Sequence, residues 1–189
     1  MLQYMYAPRV LTSRNVSHPT MCCVQYAAPM VVLGHLGTEL HEEAVHHILN
    51  LRAAVVVVTV ETLGGSPVDI QTTATFNSRT DEFEISCPGG VFKVDAAAAL
   101  DYRVKYAIIT AKLRINGDQR GAHAFLCRIR GNDGTLLDGV VTTMVGATPA
   151  SIRFDKFHVP RCALLNRNAQ VSRSGEYTTE YVCVFLCDL

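Results

Sequence analysis

The stretch YAIITAKLRINGDQRGAHAFLCRIR, at 106–130, leaves this chain little freedom in how to fold. The first arm is rich in β-branched residues, the second alternates, and Asn116–Gly117 between them accepts the positive φ angles of a tight hairpin turn. On the second arm His123, Phe125, Cys127 and Ile129 fall on one face, while Arg128 and Arg130 point the other way. The pattern predicts two strands joined back to back.

The flanking sequence supplies their neighbours. AAVVVVTV (53–60) is apolar on both faces, which predicts a central strand. GGSP breaks the chain, DIQTTATF alternates as a half-exposed strand, NSRTDE turns, and FEISC returns as the other arm of a hairpin. GNDG turns again, GVVTTMV continues, and SIRFDKFHVP closes the set. In that last segment the apolar phase slips from Ile152 and Phe154 to Phe157 and Val159, which calls for a bulge or bend near Asp155–Lys156.

Roughly six to eight short strands behind one leading helix predict a mainly β fold, an antiparallel β-barrel or roll. The helix is expected over 37–52: Thr38 caps it, Glu39 suits its first turn, and Leu40, Ala44, Ile48 and Leu51 recur at near-helical spacing. Residues 1–36 show no clean periodicity and are expected to be loosely ordered. The β-domain is expected over 53–177, with a short tail over 178–189.

Composition narrows the partners. The 189 residues fit one domain, able to bury roughly 70% of its extended surface. Seventeen basic residues cancel 17 acidic ones, so no global field draws the chain to nucleic acid or acidic lipid. The apolar run at 53–58 is far short of the roughly 20 residues of a membrane span. The first residues carry no apolar signal core, and the closing CDL does not match a Ser-Lys-Leu peroxisomal address. Seven cysteines, scattered and odd in number, are expected to be reduced thiols in an intracellular compartment.

HEEAVHH (41–47) invites a zinc reading, but His41 and His46 are five apart where a helical zinc pair needs four. An exposed polar helix face is expected instead. Cys22–Cys23 and Cys183–Cys187 lack the spacing of zinc knuckles or redox pairs. Gly64–Gly65 with Ser66 reads as a plain turn or as a backbone cradle for a phosphate. His123, on an apolar strand face, reads as a satisfied core residue rather than a catalytic base.

Three blocks, taken in order, resemble a known family. DIQTTATFNSRTDEFEI (69–85) looks like a Thr-Thr-Ala-Thr hairpin, YAIITAKLRINGDQRGAHAFLCRIR like a hairpin ending in Gly-x-His-Ala-Phe, and IRFDKFHVPRCALLNRNAQVSRSGEY (152–177) like an Asp-x-x-x-Ile-Pro-Arg-x-x-Leu-Leu segment with its tail. LGTELHEEA (36–44) looks like the helix before that domain. Over 33–177 the chain resembles the middle β-domain of the acyl-CoA oxidases, the flavoenzymes that begin peroxisomal β-oxidation.

The resemblance implies FAD as cofactor, acyl-CoA as substrate, and a trans-2-enoyl-CoA and hydrogen peroxide as products. It also implies a peroxisomal location, the cytoplasm being the alternative. In the family the flavin lies between this β-domain and a helical domain that supplies the catalytic glutamate, and nothing in this chain matches that glutamate. The chain is therefore expected to be a fragment of a longer polypeptide, or to form a homodimer or join a partner chain that supplies the helical domains.

Three departures mark the flavin side. VDAAAALDY (94–102) stands where the family has Lys-Trp-Trp-x-Gly-Gly, with Ala98 and Ala99 at the glycines and Asp95 at a tryptophan. Glycines there let the backbone approach the cofactor and the tryptophans supply flat apolar area. The family's Gly-Pro-Lys-x-Gly loop has no counterpart between Gly139 and Ser151. ETLGGSP (61–67) stands near a Thr-Glu-x-Gly-His-Gly turn. Counting forward from the helix puts Thr62 and Gly64 on it, with Gly65 following, and counting back from Thr72 puts Thr59 on its threonine.

The resemblance thus assigns cofactor contacts to Thr59, Thr62, Gly64, Gly65, Ala98 and Ala99, with no catalytic or metal-binding residue in the chain. Arg114, Arg120, Arg128 and Arg130 read either as a basic strip for CoA phosphates or as a solvated barrel face. Two functions stay open: an acyl-CoA oxidase-like flavin and substrate domain, or a non-catalytic remnant or interaction module without FAD. Without flanking helices, apolar barrel surface and strand edges predict poor solubility unless the chain dimerises.

Overall fold

The computed structural model describes residues 26–58, 70–87, 92–93, 104–145 and 148–179. Two short helices lead, α1 (Ala28–Leu36) and α2 (Glu42–Leu49), separated by a 3-10 turn at Glu39–His41. Eleven strands are described after them: β1 (Ala54–Val58), β2 (Thr73–Asn77), β3 (Glu82–Ser86), β4 (Phe92–Lys93), β5 (Val104–Ile115), β6 (Asp118–Arg128), β7 (Val140–Val145), β8 (Thr148–Phe154), β9 (Phe157–Pro160), β10 (Ala169–Val171) and β11 (Tyr177–Thr179). The mainly β architecture behind short helices is the one the sequence predicts.

β5 is the spine. One edge of it carries β6, and the other carries β1 and then β2, so the sheet path runs β1-β5-β2-β3-β9 with β6 attached to β5. β1 and β2 run parallel to β5, whereas β6, and the β2–β3 and β3–β9 pairs, are antiparallel. The sheet is therefore mixed and curls into a half-barrel rather than a wholly antiparallel barrel. A second sheet, β4-β8-β7, and the β10–β11 hairpin complete it.

The hairpin expected at 116–117 forms. Ile115 pairs with Asp118, and Asn116 and Gly117 take φ of 53° and 91°, the left-handed pair that matches strand twist in a two-residue loop. The expected bend forms too. Lys156 adopts φ 48°, and the chain passes there from β8 in the small sheet to β9 in the large one. The phase slip in SIRFDKFHVP is thus a change of sheet, which lets Phe154 and Phe157 both turn inward and stack at 5.6 Å.

The core lies between the two sheets. Phe83 forms its centre, with ring centroids of Phe76 and Phe125 each 5.1 Å away. A second cluster lies on the opposite face of the large sheet, where Leu33 of α1 and Ala44 and Ile48 of α2 cover Val55, Ile108, Ala124 and Leu126. The His47 ring and the Tyr106 hydroxyl, 3.3 Å apart, add a polar tie between α2 and β5.

This helix layer corrects three expectations. AAVVVVTV is not a central strand by hydrogen bonding, because β5 is the one β1 neighbour among the described residues. β1 is apolar on both faces because helices cover one of them. Ala28–Leu36 is helical within the segment expected to be loosely ordered. Its sequence, APMVVLGHL, is apolar nearly all round, so no stripe betrays it.

The helix expected over 37–52 is shorter, and its buried stripe is shifted. Ala44 and Ile48 are buried as anticipated, but Leu40 and Leu51 are 60% and 62% exposed and His41 is 4% exposed. Positions 41, 44 and 48 share a helical face as well as 40, 44, 48 and 51 do. The tight turn at Glu39–His41 selects the former.

Candidate functional site

Thr59, Thr62, Gly64, Gly65, Ala98 and Ala99, the positions that the resemblance assigns to the cofactor, lie outside the described residues. What is fixed is where their segments attach. β1 ends with Val58 beside Ile109, and β2 starts with Thr73 beside Lys112 on the same edge of β5. The Lys112 amide donates to the Thr72 carbonyl at 2.8 Å, securing the return. The chain thus departs from β5 and rejoins it with only Thr110 and Ala111 between. The segment holding Ala98 and Ala99 runs from β4, where Lys93 pairs with Ser151, to Val104, which pairs with Ala54. Along β5 the attachment at Val104 and the one at Thr110 are about 20 Å apart.

Thr110 is the unusual group at the first attachment. The residue is 1% exposed, and its hydroxyl has no hydrogen-bond partner among the described residues. A buried hydroxyl without a partner costs about 1 to 3 kcal/mol, so its place in an otherwise apolar strand centre is not neutral. Alternation puts it on the face of Ile108, beneath the helix layer. Besides this hydroxyl the described residues at the attachment offer Lys112, Thr72, Thr73 and apolar side chains. These do not by themselves make a set that holds a flavin ring or a pyrophosphate.

The remaining polar groups are structural. The His123 Nε2 lies 3.0 Å from the Tyr177 hydroxyl and its Nδ1 lies 3.3 Å from the Gly121 carbonyl. A carbonyl only accepts, so Nδ1 carries the proton and Tyr177 donates to Nε2. Both ring nitrogens are then used, as expected for a core histidine, and burial lowers the pKa of the imidazole. The ring meets Tyr177 edge-on at 5.7 Å and so holds β11 against β6.

The arginines divide in the same way. Arg128 donates through Nε to the Arg130 carbonyl at 2.9 Å and reaches Asn132, and Arg130 donates to the Gly134 carbonyl at 2.9 Å. Arg120 pairs with Asp118 at 3.0 Å and lies 5.5 Å over the Tyr177 ring. They brace turns and a hairpin, which favours the solvated-face reading over a phosphate-binding strip.

One site that sequence reading missed lies at the helix layer. An open groove of about 620 Å³ runs between the helices and the 161–170 strap, lined among others by Leu33, Thr38, His41, Val45, Asn166 and Arg167. Thr38 donates from its hydroxyl to Asn166 Oδ1 at 2.6 Å, and Arg167 Nε donates to the Gly37 carbonyl at 3.0 Å. Its two walls are more than 120 residues apart in sequence, as the Thr38–Asn166 separation of 128 shows, so no local pattern could bring them together. No described group of three or more His, Cys, Asp or Glu is placed to hold a metal ion. No described helix is long and apolar enough to cross a membrane.

Comparison with known proteins finds relatives for this chain. The chain is 33% identical over 122 residues to a mouse acyl-coenzyme A oxidase-like protein, covering 60% of this chain and 19% of the relative. Against the peroxisomal acyl-coenzyme A oxidase 3 of Arabidopsis thaliana it is 29% identical over 123 residues, covering 61% and 18%. The chain is similar to acyl-CoA oxidases.

The likeness extends to the fold. The structure of acyl-CoA oxidase 1 from Yarrowia lipolytica superposes with a TM-score of 0.78 at 20% identity, covering 94% of this chain and 28% of that one. The acyl-CoA oxidase-1 of Caenorhabditis elegans complexed with FAD and ATP superposes with a TM-score of 0.68 at 20% identity, covering 79% and 24%. No protein-family model matches the chain. The chain spans about a fifth of the length of its curated relatives, 18% to 20% for the first three.

Proposed function

We propose that this chain is the middle β-domain of an acyl-CoA oxidase-like protein and forms one wall of a site where FAD and an acyl-CoA meet. The observation that carries the reading is the curled half-barrel, which superposes on a solved acyl-CoA oxidase over 94% of the chain. The reaction proposed for the whole assembly is FAD-dependent oxidation of acyl-CoA to trans-2-enoyl-CoA, with O2 reduced to H2O2. Helical domains, from a longer polypeptide or from a partner chain, would supply the catalytic glutamate. FAD is proposed for this chain because a similar structure, the acyl-CoA oxidase-1 of Caenorhabditis elegans, is a complex with FAD and ATP. The peroxisomal location is proposed on the names of relatives such as the Arabidopsis enzyme.

The cofactor contacts proposed for this wall are Thr59 or Thr62, Gly64, Gly65 and the backbone at Ala98 and Ala99. A second reading, a non-catalytic module without FAD, draws support from VDAAAALDY, where an acid and four alanines replace the aromatic and glycine surface of the family.

The test is retention of flavin. The purified chain is mixed with FAD and desalted, and flavin absorbance and quenched fluorescence are read on the protein. Retained flavin supports the wall, and a colourless protein at saturating FAD rules out autonomous binding. Combining Asp95→Trp with Ala98→Gly and Ala99→Gly is expected to raise retention. No gain would mean that the alanine run is not what limits binding.

A further inference from the structure

His41 was expected on an exposed helix face, yet it is buried and joins the 3-10 turn before α2 to the strap at Leu164. Its Nδ1 accepts the Thr38 amide at 3.1 Å, and its Nε2 lies 3.1 Å from the Leu164 carbonyl, 123 residues away in sequence. Only one tautomer satisfies both: Nδ1 bare, Nε2 protonated and donating to Leu164. From these contacts we propose that His41 is a pH-sensitive latch that holds the α1–α2 layer on the β-domain and lets it open when the imidazole takes up a second proton.

The mechanism is local. A proton on Nδ1 faces the Thr38 N–H, so the acceptor of that amide disappears and two donors confront each other where the 3-10 turn begins. Burial also disfavours the charged form of the ring. Opening places it in water, where both forms are tolerated.

The surrounding charges do not cancel this. On its own segment Glu39 and Glu42 are exposed at the groove, and on α1 His35 is exposed. On the strap, Arg167 donates to the Gly37 carbonyl, Arg161 is paired with Asp81 at 2.7 Å, and the Cys162 thiol is exposed. Among the described residues no carboxylate bonds to the ring, and its hydrogen bonds run to the backbone of Thr38 and Leu164. Burial accordingly lowers its pKa below the ordinary imidazole value.

Amide hydrogen exchange, corrected for the intrinsic effect of pH, tests the latch. Between pH 7.5 and 5.5 the protection of residues 28–49 is expected to fall, by up to about tenfold per pH unit, the limit for opening linked to one proton. Protection of β5 between Val104 and Ile115 should fall less. His41→Gln keeps both bonds, because its amide oxygen can accept from Thr38 while its NH2 donates to Leu164, and it should remove the pH response. His123→Gln should leave the response in place.

Helix protection that is flat with pH in the unsubstituted chain would overturn the proposal, and so would an equal response in His41→Gln. Should that variant not fold, the His41 ring resonances of the unsubstituted chain serve in its place. Titration of the ring together with helix opening supports the latch, and titration with the helices still closed overturns it.

Discussion

Phe83 touches both neighbours of the aromatic chain, Phe76 and Phe125, and its side chain is fully enclosed. Phe83→Ala would open a cavity that its rigid strand neighbours cannot fill, at an expected cost of about 3 to 5 kcal/mol in a denaturant titration. The buried histidines act through protons instead. His41 and His123 both have pKa values lowered chiefly by burial, so the unfolded chain binds protons that the folded chain refuses. Their contribution to stability is full above the ordinary imidazole value of about 6.5 and is lost as pH falls below it. Thermal denaturation should therefore occur at lower temperature at pH 5.5 than at pH 7.5, and less so in a His41→Gln, His123→Gln double variant. His123 was legible in the sequence because strand alternation is strict. His41 was not, because HEEAVHH offers two helical phases, and the choice rests on backbone partners at Thr38 and Leu164 that no local pattern reveals.

Among the elements, those with a backbone signature were the most legible. Asn116–Gly117 announces its turn by residue type, and the slip between Phe154 and Phe157 announces a bend. The glycine of Asp138–Gly139 is as demanding. Gly139 has φ of +85°, and a Cβ there would lie 2.8 Å from Phe157 Cα and 2.9 Å from the Asp155 carbonyl oxygen. Those are backbone atoms held by the Asp155 amide, which donates to the Gly139 carbonyl at 2.8 Å. Gly139→Ala should thus cost more than the roughly 1 to 2 kcal/mol of a left-handed alanine, whereas Gly117→Ala, with open space around it, should stay within that range. Comparing the two unfolding midpoints checks the ordering. α1 escaped notice because it is apolar all round, and β1 was placed centrally because burial on both faces records layers, not lateral neighbours.

For the whole molecule, the fold class could be read because short alternating strands between turn residues have few alternatives. The parallel joins of β1 and β2 to one edge of β5 could not, since register with a distant strand leaves no local trace. Those joins matter for function: they bring the ends of the proposed flavin-side segment to Thr110 and Ala111, where a buried hydroxyl has no described partner. Whether the β-domain still walls a flavin is tested most directly by titrating FAD into the isotope-labelled chain and following backbone amide NMR signals. The expected result is a set of shifts clustered at Val58, Thr72, Thr73, Thr110 and Ala111. Shifts confined to the helix-layer groove around Thr38 and Asn166, or none at saturating FAD, would contradict it.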